Sequence, residues 1–393
     1  MLTSLATPSV RSLHGPGLLA ALRGPPVAFY RCDGGARPPS HDQRSKAVVA
    51  EWLAELLDRE FAGSVGPGDP ATLQPLYLVP DDTLCDPAEV RRLGIRGIGQ
   101  LFGGVAPWPF VATKVITHPL VRQSALAPTG WAPELGAALQ PATLPGFSVF
   151  TPEDARLAAR RLLPAGPLRL KSALGVGGAG QSVVRDLDEF EARLAAIDPA
   201  LLLRHGWVLE RNLETVTTLS VGRVNVLGRW VASYIGTQRL TRNHRDHEVY
   251  GGSSLDLVRG DFDALLRLPL PFEVRLAVRQ AIAYHKATHA AFPGLFASRV
   301  NYDIAQGTDA RGIRLSGVLE QSWRIGGASG AEVAALLAFK AAPALQRVQA
   351  STHEIYHRGE HVPPTGSRLL YDGSDPQAGR LTKYAEVLHD VYA

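Results

Sequence analysis

The sequence is poor in the features that mark several functional classes. Its 393 residues hold only two cysteines, Cys32 and Cys85, too few for a disulfide framework and without metal-binding spacing. A reducing, cytoplasmic setting fits that usage. No stretch supplies the roughly 18 uninterrupted apolar residues of a membrane helix. The first residues lack a long apolar core followed by small residues, so a secretory leader is not expected. The formal net charge is only +4, and no run of about five like charges occurs. Nucleic-acid recognition wants a concentrated basic face, which argues against that partner class. What is present is ordinary globular composition, 45% hydrophobic and 20% charged. The length suits about two or three domains with cores of their own.

The first segment alternates strand-like and helix-like pieces. Residues 26–30 (PVAFY) and 75–79 (PLYLV) are short apolar runs bounded by turn formers and read as buried strands. Between them, Val48, Trp52, Leu56 and Phe61 recur at helical spacing over 45–61. Asp86-Pro87-Ala88-Glu89 resembles a helix start, with Asp as cap and Pro in the first turn. This alternation predicts a small parallel α/β domain ending near Phe102-Gly103-Gly104. A Pro-, Gly- and Ala-rich connector over 127–146 follows, then a helix opened by Thr151-Pro152-Glu153-Asp154 and a strand at 168–171. Beyond a glycine segment come a strand at 181–184 and a capped helix over 186–196. A second block holds strands at 207–209, 219–226 and 230–235, a helix over 272–291, and strands at 297–304 and 317–321.

The sharpest local feature is Lys171-Ser-Ala-Leu-Gly175-Val-Gly177-Gly178-Ala-Gly180-Gln181. Its glycines satisfy G-x-G-x-x-G, but the residues after Gly180 read as strand, whereas a dinucleotide fold needs a helix there. Strand, glycine turn and strand make a hairpin. Such a hairpin can close over phosphates, because glycine lets backbone N–H groups approach without a Cβ in the way. Lys171 puts a cation on the strand entering it. No G-x-x-x-x-G-K-[ST] occurs, so a P-loop is excluded. A surface hairpin with an unrelated lysine carries the same local signature.

Two strand-borne acids lie near the end of the second block: Asp303 in Arg299-Val-Asn-Tyr-Asp303, and Glu320 in Gly317-Val-Leu-Glu320-Gln-Ser322-Trp-Arg324. Alternate strand residues share a face, so Glu320, Ser322 and Arg324 point together, and Asp303 joins them if the two strands pair. Two carboxylates on one face repel unless cations neutralise them, and Mg²⁺ favours a few carboxylates plus phosphate oxygens. Arg324 would meet a phosphoryl group or a substrate carboxylate. A simple Glu320–Arg324 salt bridge is the alternative.

Taken in order, these pieces resemble the ATP-grasp superfamily over roughly residues 105–335. They are closest to uncharacterised bacterial ATP-grasp-like proteins without an assigned substrate. The resemblance implies α/β architecture with α+β lobes: a Rossmann-like pre-ATP-grasp domain (1–112), a small lobe with the glycine hairpin (113–205), and a large lobe with the metal and substrate site (206–393). Lys171 with Gly175, Gly177, Gly178 and Gly180 looks like the phosphate-binding lysine and loop, and Lys114 like an earlier nucleotide lysine. Val208-Leu209-Glu210-Arg-Asn-Leu213 looks like the adenine hinge, where a family glutamate contacts ribose and backbone near Leu213 contacts adenine. Asp303, Glu320 and Ser322 look like the metal positions of the pattern that ends in E-x-N-x-R. Ser322 stands where the family usually has Asn, and Thr218 where many members carry an acid. The implied cofactors are ATP and Mg²⁺. The implied reaction is ATP-dependent activation of a small-molecule carboxylate as an acyl phosphate, attacked by an amine or similar nucleophile, with Lys171 and Arg324 as catalytic residues and ADP released. No nucleic-acid or membrane partner is implied, and a homodimer is the assembly in view.

Two rival readings come from the residues. His353-Glu354-Ile-Tyr-His357 is an H-E-x-x-H, with His361 beyond it and Glu386 as an available third ligand. Two histidines at i, i+4 on a helix could hold zinc with Glu354 as base, making a zinc-dependent hydrolase; a helix from Pro343 to Gly359 puts His357 in its last turn, which reads instead as a polar helix end. A nucleotide-binding protein without ligase turnover is the other, suggested by Ser322. His285 and His289, i and i+4 on a helix, read as packed residues. The basic stretch of Arg239, Arg242, His244, Arg245 and His247 reads as a solvated loop or an anion contact.

Overall fold

The computed structural model describes residues 24–35, 38–175 and 180–388. Gly177 and Gly178 lie outside the described residues. The first unit contains β1 (Val27–Tyr30), α1 (His41–Leu57), β2 (Phe61–Val65), β3 (Tyr77–Pro80), α2 (Pro87–Arg92) and the short β4 (Gly104–Val105). β1 and β3 are buried along their whole length, the pattern of strands covered on both faces, and the sheet is parallel in the order β2-β1-β3. Ser40 and Gln43 form a reciprocal capping box that starts α1. Asp58 ends it in the left-handed region (φ 55°), its N–H on the carbonyls of Ala54 and Glu55. Phe61, expected on this helix, is therefore the first residue of β2.

The second unit follows a connector that carries a short 3₁₀ turn at Lys114–Thr117. It holds α3 (Leu135–Leu139), β5 (Gly146–Val149), α4 (Pro152–Leu162), β6 (Leu168–Ser172), β7 (Gln181–Val184), α5 (Leu187–Ala195), α6 (Pro199–His205) and β8 (Trp207–Arg211). The sheet is antiparallel in the order β5-β8-β6-β7. Thr151 and Asp186 cap their helices as the sequence suggests, and Asp198 caps α6, a helix not expected. Ala155, Ala158, Phe190, Leu194 and Leu202 pack the helices onto this sheet. Because β8 bonds to both β5 and β6, the expected boundary at 205/206 falls inside this unit. The larger sheet starts after it.

The third unit contains β9 (Glu214–Val226), β10 (Trp230–Arg242), β11 (Glu248–Arg259), α7 (Phe262–Leu266), α8 (Phe272–Ala291), β12 (Phe296–Ala297), β13 (Arg299–Thr308), β14 (Arg314–Ser322), α9 (Ser329–Ala341), β15 (Arg347–Tyr356), β16 (Arg368–Asp375) and β17 (Gly379–Leu388). Eight of the strands form one sheet in the order β14-β13-β9-β10-β11-β15-β17-β16. β12 pairs with β4 and ties the first unit to the third. α1 and α9 share a core with residues of this sheet, including Val224, Tyr234, Leu257 and Ala385. No helix of the described residues is long and apolar enough to cross a membrane.

The helix expected from Pro343 is not there. Residues 347–356 form β15, paired with β11 and β17. Val348, Ala350, Thr352 and Glu354 alternate inward with less buried neighbours, and that period of two decides for a strand.

A bulge between Arg239 and Leu240 interrupts the β10–β11 pairing, where Gly251 is the extra residue and Gly252 takes φ +134°. A Cβ on Gly252 would sit 2.0 Å from the carbonyl oxygen of Thr352 on β15. Gly252→Ala is therefore expected to lower stability by at least about 2 kcal/mol, through the strained φ and the backbone clash together. Chemical denaturation checks this, and a loss within a few tenths of a kcal/mol would contradict it.

Candidate nucleotide and metal site

β13 and β14 pair so that Asp303 and Glu320 are direct cross-strand partners, with a bulge just beyond them. Asn301 and Ser322 are the next pair on the same face. Three donors converge on Asp303 Oδ1: Ser220 Oγ at 2.8 Å, Asn301 Nδ2 at 3.0 Å and Gln238 Nε2 at 3.2 Å. Burial, and next the Glu320 carboxylate, push the Asp303 carboxyl above its usual range, while these hydrogen bonds pull the other way. Oδ2 is left for a cation. This donor set suits a hard divalent ion that keeps water or phosphate in its remaining positions. Ser322 is the weaker member, because Arg299 Nη1 already donates to its Oγ at 3.3 Å.

Glu320 does not pair with Arg324. Lys114 Nζ lies 2.7 Å from Glu320 Oε2 and also donates to the Gly175 carbonyl at 2.5 Å. One buried ammonium thus joins the acid strand to the start of the glycine hairpin. Gln321 explains how it is placed. Pointing away from Glu320, its Nε2 donates to the carbonyls of Val111 and Thr113, and its Oε1 accepts from Tyr284, whose hydroxyl is 3.1 Å from Thr117 Oγ1. These bonds pin the 3₁₀ turn carrying Lys114 over β14.

Arg324 follows the end of β14. Its backbone carbonyl accepts from Arg299 Nη1 at 2.7 Å, and Arg299 is in turn held by a buried ion pair with Glu332 of α9. The Arg324 guanidinium stands 3.7 Å from Asp82. Glu320, Ser322 and Arg324 line two adjoining cavities. One, of about 290 Å³, adds Lys114, Leu174 and Gly175; the other, of about 400 Å³, adds Asp303 and residues of the first unit and the C-terminal strands.

Lys171 is placed differently from expectation. It lines neither cavity. Its Nζ lies 2.5 Å from Glu210 Oε1, while His118 Nε2 is 3.1 Å from Glu210 Oε2. The β6–β8 register pairs Lys171 with Val208, two residues from Glu210 on the same face, close enough for the buried charges to meet. Burial alone would raise the Glu210 carboxyl; Lys171 and His118 outweigh it and hold it at about 2. With 1% of its side chain exposed, Glu210 is committed to these partners and is not open toward a ribose in this geometry. Leu213 packs with Leu144 and Ala305, beside Leu315 and Leu319, where the small sheet meets the large one. Gly180 leads from the glycine turn into β7 with φ +71°. Thr218 is on β9, opposite Ala305.

The H-E-x-x-H loses its zinc geometry on β15. His353 Nε2 is 2.8 Å from Glu386, whereas His357 Nε2 meets Thr382 Oγ1, and Glu354 pairs with Lys383. Among the described residues, no three His, Cys, Asp or Glu side chains converge to hold a metal. His285 bonds Tyr302 and packs on His289, and burial drives it down to about 3. His244 bonds the Arg380 carbonyl.

Sequence reasoning missed Ser220, Gln238 and Asn301 around Asp303, and Gln321 behind Glu320. Asn301 was within reach, two residues before Asp303 on one face. Ser220 and Gln238 come from strands whose register no local pattern fixes.

No functionally curated protein matches the sequence. Among solved structures, the chain is similar to an N5-carboxyaminoimidazole synthetase from Staphylococcus aureus complexed with ADP, at 10% identity and TM-score 0.51, covering 94% of this chain and 95% of that one. It is also similar to a biotin carboxylase from Campylobacter jejuni in its β-γ-ATP complex, at 12% identity and TM-score 0.50, covering 92% and 87%. At such identities the likeness establishes the fold: ATP-grasp, with a leading Rossmann-like unit. Residues 29–385 match the family described as "Protein of unknown function (DUF3182)", and the chain belongs to that family.

Proposed function

We propose that the protein is an ATP-dependent ligase that activates a carboxylate as an acyl phosphate for attack by an amine or similar nucleophile, releasing ADP. The observation that carries this is the Asp303–Glu320 pair, bridged through Lys114 to the Gly175 carbonyl of the glycine hairpin. Two carboxylates and a lysine at the junction of two sheets match what a nucleotide with a divalent cation needs. Mg²⁺, when bound by Asp303 and Glu320, would neutralise charge on the phosphates.

This chain's residues do the rest by position and charge. Lys114, released from Glu320, turns its ammonium to the phosphates. Arg324, fixed through Arg299, faces the transferred phosphoryl group and the carboxylate attacking it. A carboxylate oxygen forms the new bond to the γ-phosphorus, the bond to the β–γ bridging oxygen breaks, and ADP departs. The nucleophile's nitrogen then attacks the acyl carbon, phosphate leaves, and the nitrogen gives up its proton. The hairpin shields the acyl phosphate from water. Lys171, buried and paired with Glu210, takes no part in these steps.

Lys114→Met is expected to weaken ATP binding by roughly 10- to 100-fold, the worth of a charge-assisted contact. Titration calorimetry measures it, and unchanged affinity would remove Lys114 from the site. The test of the whole reading is ADP release over panels of carboxylates and amines. Release that requires one carboxylate together with one nucleophile supports it. ATP bound tightly with no acceptor-dependent ADP would favour a nucleotide-binding protein without turnover, for which the engaged Ser322 hydroxyl speaks.

A further inference from the structure

The 400 Å³ cavity does not end at the acid pair. Its far side is lined by Asp42 of α1, Glu354 of β15 and Lys383 of β17, together with Arg324 and Tyr250. Lys383 Nζ is 2.7 Å from Glu354 Oε1. Lys46 Nζ is 2.9 Å from Asp42 Oδ2, and also donates to the Asp81 carbonyl at 3.1 Å. None of the four acids and lysines belongs to the nucleotide machinery. They come from the first unit and from the last strands, brought together only by the fold.

Stability does not account for the buried pair of Glu354 and Lys383; Asp42 is half exposed, and its pair with Lys46 is an i,i+4 contact on one helix. Buried ion pairs return little beyond their desolvation cost, and apolar side chains of similar size would serve the core as well. The two carboxylates also sit in opposed environments. Burial pushes Glu354 up despite Lys383, whereas in Asp42 the same tendency is overcome by Lys46 and Lys383. The loop after Arg324 closes over them: a Cβ on Gly327 would lie 2.5 Å from the ring of Tyr250, so only glycine lets this loop rest on that ring.

We infer that this end of the cavity binds the nucleophile, and that the nucleophile is a free amino acid recognised as a zwitterion. Its ammonium is received by Glu354 and Asp42, and its carboxylate by Lys383. The charge pattern selects that class. A purely anionic ligand meets the carboxylates of Asp42 and Glu354, and a purely cationic one meets Lys383 beside Arg324. A ligand carrying both charges can exchange partners with both pairs. The ligand's role as acceptor rests on the ligase reading; its binding does not.

The test therefore begins without nucleotide. The full chain is titrated calorimetrically with free L- and D-α-amino acids, and with the N-acetyl and amide derivatives of each. At least one free amino acid is expected to bind, and both blocked forms to bind at least about tenfold more weakly. The paired variant E354Q/K383M, which removes both charges together and so leaves neither uncompensated, is expected to lose that discrimination. Blocked forms that bind as well as the free one, or no binding by any free amino acid, would overturn the inference; this comparison needs only the wild-type protein. The ADP assay separates the two readings. Zwitterion-selective binding with no ADP release sustains the site and removes the ligase. ADP release driven equally by simple amines sustains the ligase and removes the zwitterion site.

Discussion

Glu320→Gln is expected to cut ADP formation by roughly a thousandfold while leaving the protein folded, a loss of the size found when one preorganised charge contact to a reacting group is removed. The amide keeps the shape of the carboxylate and can still accept from Lys114, so the 2.7 Å contact survives without its charge. What disappears is half of the anionic pair. Asp303 alone, its Oδ1 already taken by Ser220, Asn301 and Gln238, offers a single oxygen to a divalent ion. Nucleotide affinity in EDTA should change little, whereas the Mg²⁺ dependence of binding should flatten. Steady-state ADP release and titrations with and without Mg²⁺ check both halves. Wild-type turnover in this variant would place the chemistry elsewhere.

Glu210→Leu should act on stability. It leaves Lys171 and His118 facing a cavity with no anion, where both side chains are almost wholly buried. Removing one partner of a buried pair typically costs about 3–5 kcal/mol. The same residue predicts an acid limb. Its carboxyl is held at about 2 against a usual 4.5. A group depressed on folding contributes stability that is fully present above its unfolded value and is lost as pH falls through the folded one. The window is therefore pH 4.5 down to about 2, and the amount roughly 3 kcal/mol. Urea denaturation at several pH values reads it, and the Leu variant should lose this part of the slope. An unchanged slope would mean that other carboxylates govern the acid transition.

Most of the scaffold was legible because its signals are local. The capped starts at Asp86, Thr151 and Asp186, the helix at Phe272–Ala291 and the buried runs that became β1 and β3 each carry their own pattern. That Asp303 joins the face of Glu320 was legible only on the condition that the two strands pair; their register came from the structure. The face shared by Glu320, Ser322 and Arg324 followed from strand period alone. Three things were not legible. The H-E-x-x-H was tested against a helix template, although Val348, Ala350 and Thr352 alternate and β15 is central to the C-terminal extension of the sheet. Lys171 was assigned by its distance from the glycines, but a buried lysine needs an anion, and Glu210 on the neighbouring strand was nearer than any open cavity. Lys114 reaches Glu320 only because Gln321 ties residues 111–113 down, a contact between positions more than two hundred residues apart.

The central claim concerns a place, so the most direct measurement is a crystal structure of the full chain with Mg²⁺ and a non-hydrolysable ATP analogue. The account predicts the nucleotide between the small and large sheets, a metal about 2.1 Å from carboxylate oxygens of both Asp303 and Glu320, and Lys114 turned from Glu320 to the phosphates. A nucleotide bound away from this junction, or a metal that touches neither acid, would contradict it.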